Sequence, residues 1–409
     1  VTTPQDTLLS LFTPGGRSNP YPLYSRLLEQ APVAAIGSQH ALVTGYQESS
    51  DVLLNHRLFR VPDRSYADRF WSGWRNHASA AALYRSLLFL NPPESQPVRR
   101  LVYRFFSPKR VEQMRRMIGR HAAAHVAPLI ANTGSVDATQ SFVNIPNTVI
   151  GELLGIPHRD MRQLAEWLDM FLERNELHPP DSRLESADDV TPQIFSYIRE
   201  KLLEFYADDE TNLVGSLAQH WKAADEQDLI SNLIFILGAG TVTTVSLLGS
   251  GLLQLAKDNA LLHRLHTDDT LLKSFVLEVV RHDPPIQYGA RVAAEDTELG
   301  GVHIPRDTLL LVCFGALGRD PRRFANPNNF VADRFVSGES DQNDVVSFGL
   351  GTHRCVGADL ALTTGEIAFR ELAQRIERLS LVSSPHRQNR SVVRKFSRLE
   401  VQTLRRSAV

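Results

Sequence analysis

Residues 346–357, Val346-Ser347-Phe348-Gly349-Leu350-Gly351-Thr352-His353-Arg354-Cys355-Val356-Gly357, decide how the rest of this chain is read. They hold Cys355, one of only two cysteines in 409 residues, at the end of a loop that carries Gly349, Gly351 and Gly357. Glycine admits backbone dihedrals that other residues avoid and lets the main chain approach a flat ligand closely. The stretch that follows, 358–379, reads as a long helix and puts the sulfur at a helix N-terminus. There, backbone N–H groups and the macrodipole favour the thiolate, the form that binds a metal. His353 and Arg354 are expected to act in the same direction. A lone cysteine is more often a small buried apolar side chain, and Cys313, inside the apolar run 309–314, fits that description. Cys355 is set apart by the pattern around it.

That pattern, F-G-x-G-x-H-x-C-x-G, is met by Phe348, Gly349, Gly351, His353, Cys355 and Gly357 and resembles the haem-binding loop of the cytochrome P450 family at every position. The resemblance extends over residues 20–401. It implies haem b with Cys355 as the thiolate ligand of the iron, and Phe348, Gly349 and Gly357 among the residues against the cofactor. The fold it implies is mainly α with a small β region, one cytochrome P450 domain over 1–409. The β-rich parts fall near 20–60, 286–312 and 379–404, and the haem lies between a long central helix and the helix following the cysteine loop.

Composition is compatible with this: 43% hydrophobic and 22% charged residues make an ordinary globular chain. A net charge of −2 gives no reason to expect nucleic acid. Two cysteines cannot build a disulfide framework, in keeping with a reducing cytoplasm. The N-terminal stretch has neither a basic region nor a long apolar core, so no signal peptide or membrane anchor is expected. Residues 229–256 contain no charge and are long enough to cross a bilayer. Polar residues interrupt them, among them Ser231, Asn232, Ser246 and Ser250, and aromatic and basic flanks are lacking. A helix buried on all sides is the better reading.

Along the chain, strands are expected at 33–36, 41–44, 289–294, 302–304 and 309–312, with strand-like pieces at 379–382 and 398–404. Helices are expected at 22–30, 48–54, from Ser95 onward, to about 131, and at 141–154, 159–177, 193–207 and 271–282, with a short one around 213–222. The segment 178–192, rich in Pro, Ser and acids, reads as a mobile hairpin. Residues 60–90 are irregular and aromatic, with Tyr66, Phe70, Trp71, Trp74, Tyr84 and Phe89. Such a segment is a satellite core or a loop covering substrate; the resemblance favours the second.

Glu278 and Arg281 stand three apart on an apolar helix and, with Arg334, resemble the family's E-x-x-R motif and its distal arginine, a structural lock. Arg99, after N-P-P-E-x-x-x-x, and Arg291, opening the strand RVAAEDTELGGV, match the family's propionate-binding positions together with His353. Guanidinium suits a carboxylate through paired hydrogen bonds. The family commonly has a histidine where Ser95 stands, so one propionate contact is expected to be absent or rebuilt.

In the central helix, Gly238-Ala239-Gly240 after an apolar run offers a rival dinucleotide-loop motif, but Thr243 stands where the third glycine belongs and no alternating strand–helix pattern surrounds it. The resemblance equates Ala239 and Gly240 with the kink over the iron and Thr243 with the oxygen-handling threonine. An acid usually precedes that threonine; here it is Val242, and 229–256 contain none. Protons must then come through Thr243, ordered water or the substrate, although an apolar residue also simply suits a buried helix.

These residues imply a bacterial haem-thiolate monooxygenase that activates O2 to oxidise a small secondary-metabolite intermediate. No flavin or nicotinamide motif is evident, so electrons are expected from a separate ferredoxin or flavodoxin and its reductase. Arg100, Lys109, Arg110 and Arg354 form either its basic docking face or a scattered solvated surface. Val242 motivates an alternative, oxidative cyclisation or C–N, C–O or C–C coupling without net oxygen insertion. From another class, a haem-binding protein without turnover stays open. Phe89, Val242, Ile286, Tyr288, Gly289 and Val393 are the expected substrate contacts, the aromatic loop pointing to an aromatic or heterocyclic ligand. A cytoplasmic monomer without membrane or nucleic-acid partners is expected.

Overall fold

The computed structural model describes residues 3–131, 134–205, 226–338 and 340–407. The short helix expected around 213–222 lies outside the described residues, as does the end of that expected at 193–207.

The molecule is built around the helix Glu226–Lys257. Its apolar side chains face every direction: Ile230, Leu233, Ile234, Leu248, Leu252 and Leu255 are all buried. The hydroxyls that punctuate it turn back onto its own carbonyls. Thr241 donates to the Leu237 oxygen at 3.0 Å, Thr243 to that of Ala239 at 2.6 Å and Ser246 to that of Val242 at 3.0 Å. These three hydroxyls are thereby satisfied without water, and Ser250 donates to Asp283 at 2.7 Å. Asn232 accepts the Leu87 N–H at 2.8 Å and tethers the helix to the preceding segment. The helix has the length and apolar character of a membrane span, yet 78% of its most apolar stretch is buried inside the protein.

Across it lies Ala358–Arg375, the helix after the cysteine loop. Glycines set the closeness of this packing. A Cβ on Gly251 would run into the Phe369 ring, and one on Gly365 would sit 3.0 Å from Val276 and 3.1 Å from Leu247. The helix ends at Arg375, earlier than expected, because Ile376–Leu381 pairs antiparallel with Glu400–Arg405, which also pairs with Val136–Asp137. Thr270–His282 packs against both helices and brings up Glu278 and Arg281.

Four of the expected strands, joined by the unexpected Phe59–Arg60, form a five-stranded sheet in the order Val33–Ile36, His40–Val43, Leu309–Cys313, Tyr288–Ala293, Phe59–Arg60, while Val302–Ile304 pairs with Thr297–Leu299 apart from it. Only the pairing of His40–Val43 with Leu309–Cys313 is parallel.

Two expectations are corrected. The segment 178–192 is not a hairpin: the helix Asp181–Phe205 starts within it and carries Pro192 in its interior. Ala187, Val190, Ile194 and Ile198 make a buried stripe at helical spacing, and that burial outweighs the hydrogen bond Pro192 cannot give. Residues 60–90 are more regular than expected. Arg64–Phe70 and Ala78–Arg85 are helices around a small core of Ala67, Trp74 and Ala80. Arg64 and Arg85 fasten this unit to Asp228 in the first turn of the central helix at 3.3 and 2.8 Å.

Candidate active site

The cysteine loop is closed by its own backbone. The Cys355 N–H donates to the Phe348 oxygen at 2.8 Å, and Gly349 and Gly351 sit at φ of 71° and 64°. At Gly351 a Cβ would lie 2.8 Å from the Leu53 carbonyl oxygen, so both the dihedral and the close approach demand glycine. Ser347 Oγ donates to the Val280 oxygen at 3.0 Å and fixes the loop to the helix Thr270–His282. Gly357 differs: a Cβ there would meet open space.

Cys355 is exposed, while Cys313 is buried and its thiol pushed up to about 12 by that burial. The Cys355 thiol is also raised, by the protein crowded around it, against the Gly357 N–H and the charges of Arg99 and Arg354. Desolvation thus works against the thiolate that the loop N–H and the local charges favour. Such a sulfur gives up its proton outright when a metal cation takes it as ligand.

Three polar side chains converge beside this loop. Arg99 donates to the Arg354 carbonyl oxygen, and Arg291, buried, donates only to the Ala290 oxygen at 2.8 Å. Neither meets a carboxylate among the described residues. Burial lowers Arg291 to about 10. His353 lies close enough to both arginines to feel their charge; burial, Arg291, Arg99 and His56 push it to about 3, and its buried Nε2 has no partner among the described residues. His353 is thus a neutral hydrogen-bonding group and not the cation expected. Ser95 lies buried with an unpartnered Oγ. A buried guanidinium without a counter-ion is costly, so this trio fits a ligand bearing paired carboxylates.

The other expected set is satisfied internally. Glu278, Arg281 and Arg334 are almost completely buried. Glu278 accepts from Arg281 at 2.6 and 2.7 Å, from Arg334 at 3.1 Å and from the Val331 N–H at 2.8 Å. The remaining guanidinium hydrogens go to the carbonyls of Gly318, Ala325, Pro327 and Asn329.

Of the expected substrate contacts, Val242, Ile286 and Val393 come together in one small apolar cluster with Val392, Leu172 and Leu177. Phe89 lies apart, stacked on Tyr84 at 4.8 Å between centroids, with Trp74 a further 4.9 Å from Tyr84. These rings meet one another. Tyr288 is corrected: it points into a different core, its hydroxyl 2.9 Å from that of Tyr24. Strand alternation cannot send Tyr288 and Gly289 to one pocket; Gly289 shares the face of Arg291, with the Phe314 ring against it. Val392, Leu172, Leu177 and His56 were missed. Val392 adjoins an expected contact in sequence; the leucines lie near a turn between helices and gave no local signal.

Helix-rich fold, glycine-lined cysteine loop and a pair of unpaired arginines define the class: a cysteine-ligated haem oxidoreductase. The model of the family described as Cytochrome P450 matches residues 210–401. Cytochrome P450 BJ-3 of Bradyrhizobium diazoefficiens is 30% identical over 97% of this chain and 96% of its own. The 6-deoxyerythronolide B hydroxylase of Saccharopolyspora erythraea is 30% identical over 88% of this chain and 89% of its own. Among solved structures, CxnD, a cytochrome P450 enzyme for C–S bond formation in chuangxinmycin biosynthesis, superposes with a TM-score of 0.82 at 26% identity, covering 95% of this chain and 96% of that one. The chain belongs to the cytochrome P450 family, and is a bacterial monooxygenase carrying a cysteine-ligated haem iron.

Proposed function

We propose that the chain, working as one domain, oxidises a small secondary-metabolite intermediate, with Cys355 as the haem ligand and Arg99, Arg291 and the neutral His353 on the haem carboxylates. The observation that carries this is the convergence of those three side chains, buried or half-buried and without a carboxylate, beside the Cys355 loop. A thiolate-ligated haem activates O2 and promotes O–O cleavage. The protein's part is to bind, orient and protonate. Val242, Val392, Val393 and Ile286 offer an aliphatic surface one residue from Thr243, whose hydroxyl is only half-buried while that of the other neighbour, Thr241, is buried within the helix. Electrons come from a ferredoxin or flavodoxin docking on Arg100, Lys109, Arg110 and Arg354, all exposed.

The test is the absorption spectrum of the reduced protein under carbon monoxide, with Cys355→Ser alongside. A strongly red-shifted Soret band lost in the variant is expected; a histidine-like band unchanged by the substitution would overturn the assignment of Cys355.

A second reading is oxidative bond formation without oxygen insertion. Val242 is buried and apolar where the family pattern usually has an acid, and the Thr243 hydroxyl donates to the Ala239 carbonyl at 2.6 Å. Both observations leave proton delivery to the substrate itself. Product mass separates the readings: gain of one oxygen for the first, loss of two hydrogens for the second.

A further inference from the structure

Glu176 is a buried acid that the chemistry above does not use. It stands in the turn between the helix His158–Leu172, extended by the 3-10 turn Glu173–Asn175, and the helix Asp181–Phe205. Its carboxylate accepts three consecutive backbone N–H groups across 215 and more residues of chain: Ser391 and Val392 at 2.7 Å and Val393 at 3.0 Å. The other edge of the same segment is held by residues 285–287. The Gln287 N–H donates to the Val392 oxygen at 2.8 Å, the Arg394 N–H to that of Pro285 at 2.9 Å, and Ile286 pairs with Val393 in an isolated bridge. Segment 391–393 is thus a bend whose three N–H groups converge on one carboxylate, while its backbone also meets residues 285–287.

The side chains carried by these pieces meet in one apolar cluster. Leu172 and Leu177, on either side of Glu176, pack with Val392, Val393 and Ile286 on Val242. Beside them Arg390, itself buried, bonds Asp169 at 2.9 Å and also Glu173, while Arg183 reaches Glu173 at 3.1 Å and Lys395 reaches Asp169 at 3.2 Å. The whole join between the turn and segment 389–395 is therefore ionic, and the surface it holds in place is aliphatic. Ion pairs around the rim of an apolar surface fix geometry more than they add attraction.

We propose that Glu176 is a positioning residue that sets the width of the substrate space beside Thr243, by clamping the 391–393 backbone to the turn after Leu172, and that the part of the substrate lying there is aliphatic hydrocarbon. This rests on the haem reading of the preceding section. Removing the acceptor leaves three buried N–H groups without partners, and the segment regains them only by moving toward water. The walls then separate and a wider ligand enters.

The test titrates the haem-loaded protein with imidazole and with 4-phenylimidazole, each read by its Soret shift, and compares their dissociation constants. Imidazole needs little room; the phenyl ring must enter the space beside Val242. In Val393→Ala the preference for 4-phenylimidazole over imidazole should rise, and the near-isosteric Glu176→Gln, whose amide sets a donor against the backbone donors, should move it the same way by about fivefold or more. A ratio within about twofold of the parent in Glu176→Gln, with Val393→Ala shifted, overturns the clamp. No shift in Val393→Ala overturns the wall itself. Should Glu176→Gln fail to hold haem, hydrogen exchange in the parent decides. Slow exchange of the Ser391, Val392 and Val393 amides is expected, and exchange as fast as exposed loop amides overturns the clamp. A parent that shows no Soret response to imidazole would count against the haem reading alone, because hydrogen exchange tests the clamp without haem.

Discussion

Two groups of polar side chains in this protein each contain a pair of arginines and are treated in opposite ways. In one, Glu278, Arg281 and Arg334 satisfy one another and a ring of carbonyls, and nothing is left over. In the other, Arg99 and Arg291 are turned toward the cysteine loop with no acid, and His353 is held neutral beside them. A fold tolerates buried cations at low cost only when it pairs them. The set that is closed on itself belongs to the scaffold; the set left open belongs to a ligand that brings its own carboxylates.

Breaking the closed set should have the largest effect. Glu278→Ala strands two guanidinium groups in the interior, an expected loss of about 3–5 kcal/mol in folding stability that thermal or urea unfolding will measure, with or without haem. The open set should respond in two directions. Arg291→Ala removes an unpaired buried cation and is expected to leave the haem-free protein as stable as the parent or more so. The same change should speed haem loss to an acceptor globin by about tenfold, since it removes a charged hydrogen-bond donor. Equal destabilisation of both forms would place Arg291 with the scaffold.

The glycines of the loop sharpen the same distinction on a smaller scale. Gly351→Ala meets both a positive φ and the Leu53 carbonyl, and should cost about 1–3 kcal/mol in the haem-free protein. Gly357→Ala meets nothing in the chain and should leave haem-free stability within about 0.5 kcal/mol; its effect should be read only in haem affinity.

The effect smallest at neutral pH, growing as the medium is acidified, is on pH dependence. His282, next to Arg281, is lowered to about 3 by burial, with Arg319 and Arg281 adding to it. A histidine whose folded value is depressed stabilises the fold above its ordinary value near 6.5 and loses that contribution as pH falls from there toward 3. Melting temperature should therefore decline below pH 6.5, and His282→Gln should decline less steeply; parallel profiles would contradict this.

Much of this was legible in residue order. The Glu278-x-x-Arg281 spacing, the strands 33–36 and 302–304 and the apolar central helix follow from local periodicity, and all are present where expected. The helix from Asp181 was hidden because a proline and a run of acids mask its stripe of Ala187, Val190 and Ile194, which declares itself only when packed. Tyr288 was misplaced because adjacent strand residues face opposite ways and the sequence does not say which face turns toward the cysteine loop. Glu176 gave no signal at all, since its partners lie more than 200 residues away.

By itself, then, the sequence determined the cysteine loop: its glycines, its closing hydrogen bond and the helix behind it are local, and short-range sterics are written in neighbouring residues. Only the tertiary structure decided which charges are paired, that Cys355 is raised and His353 lowered, and which side chains pack against Val242. Desolvation and packing sum over every neighbour in three dimensions, and those neighbours are brought together by the fold alone.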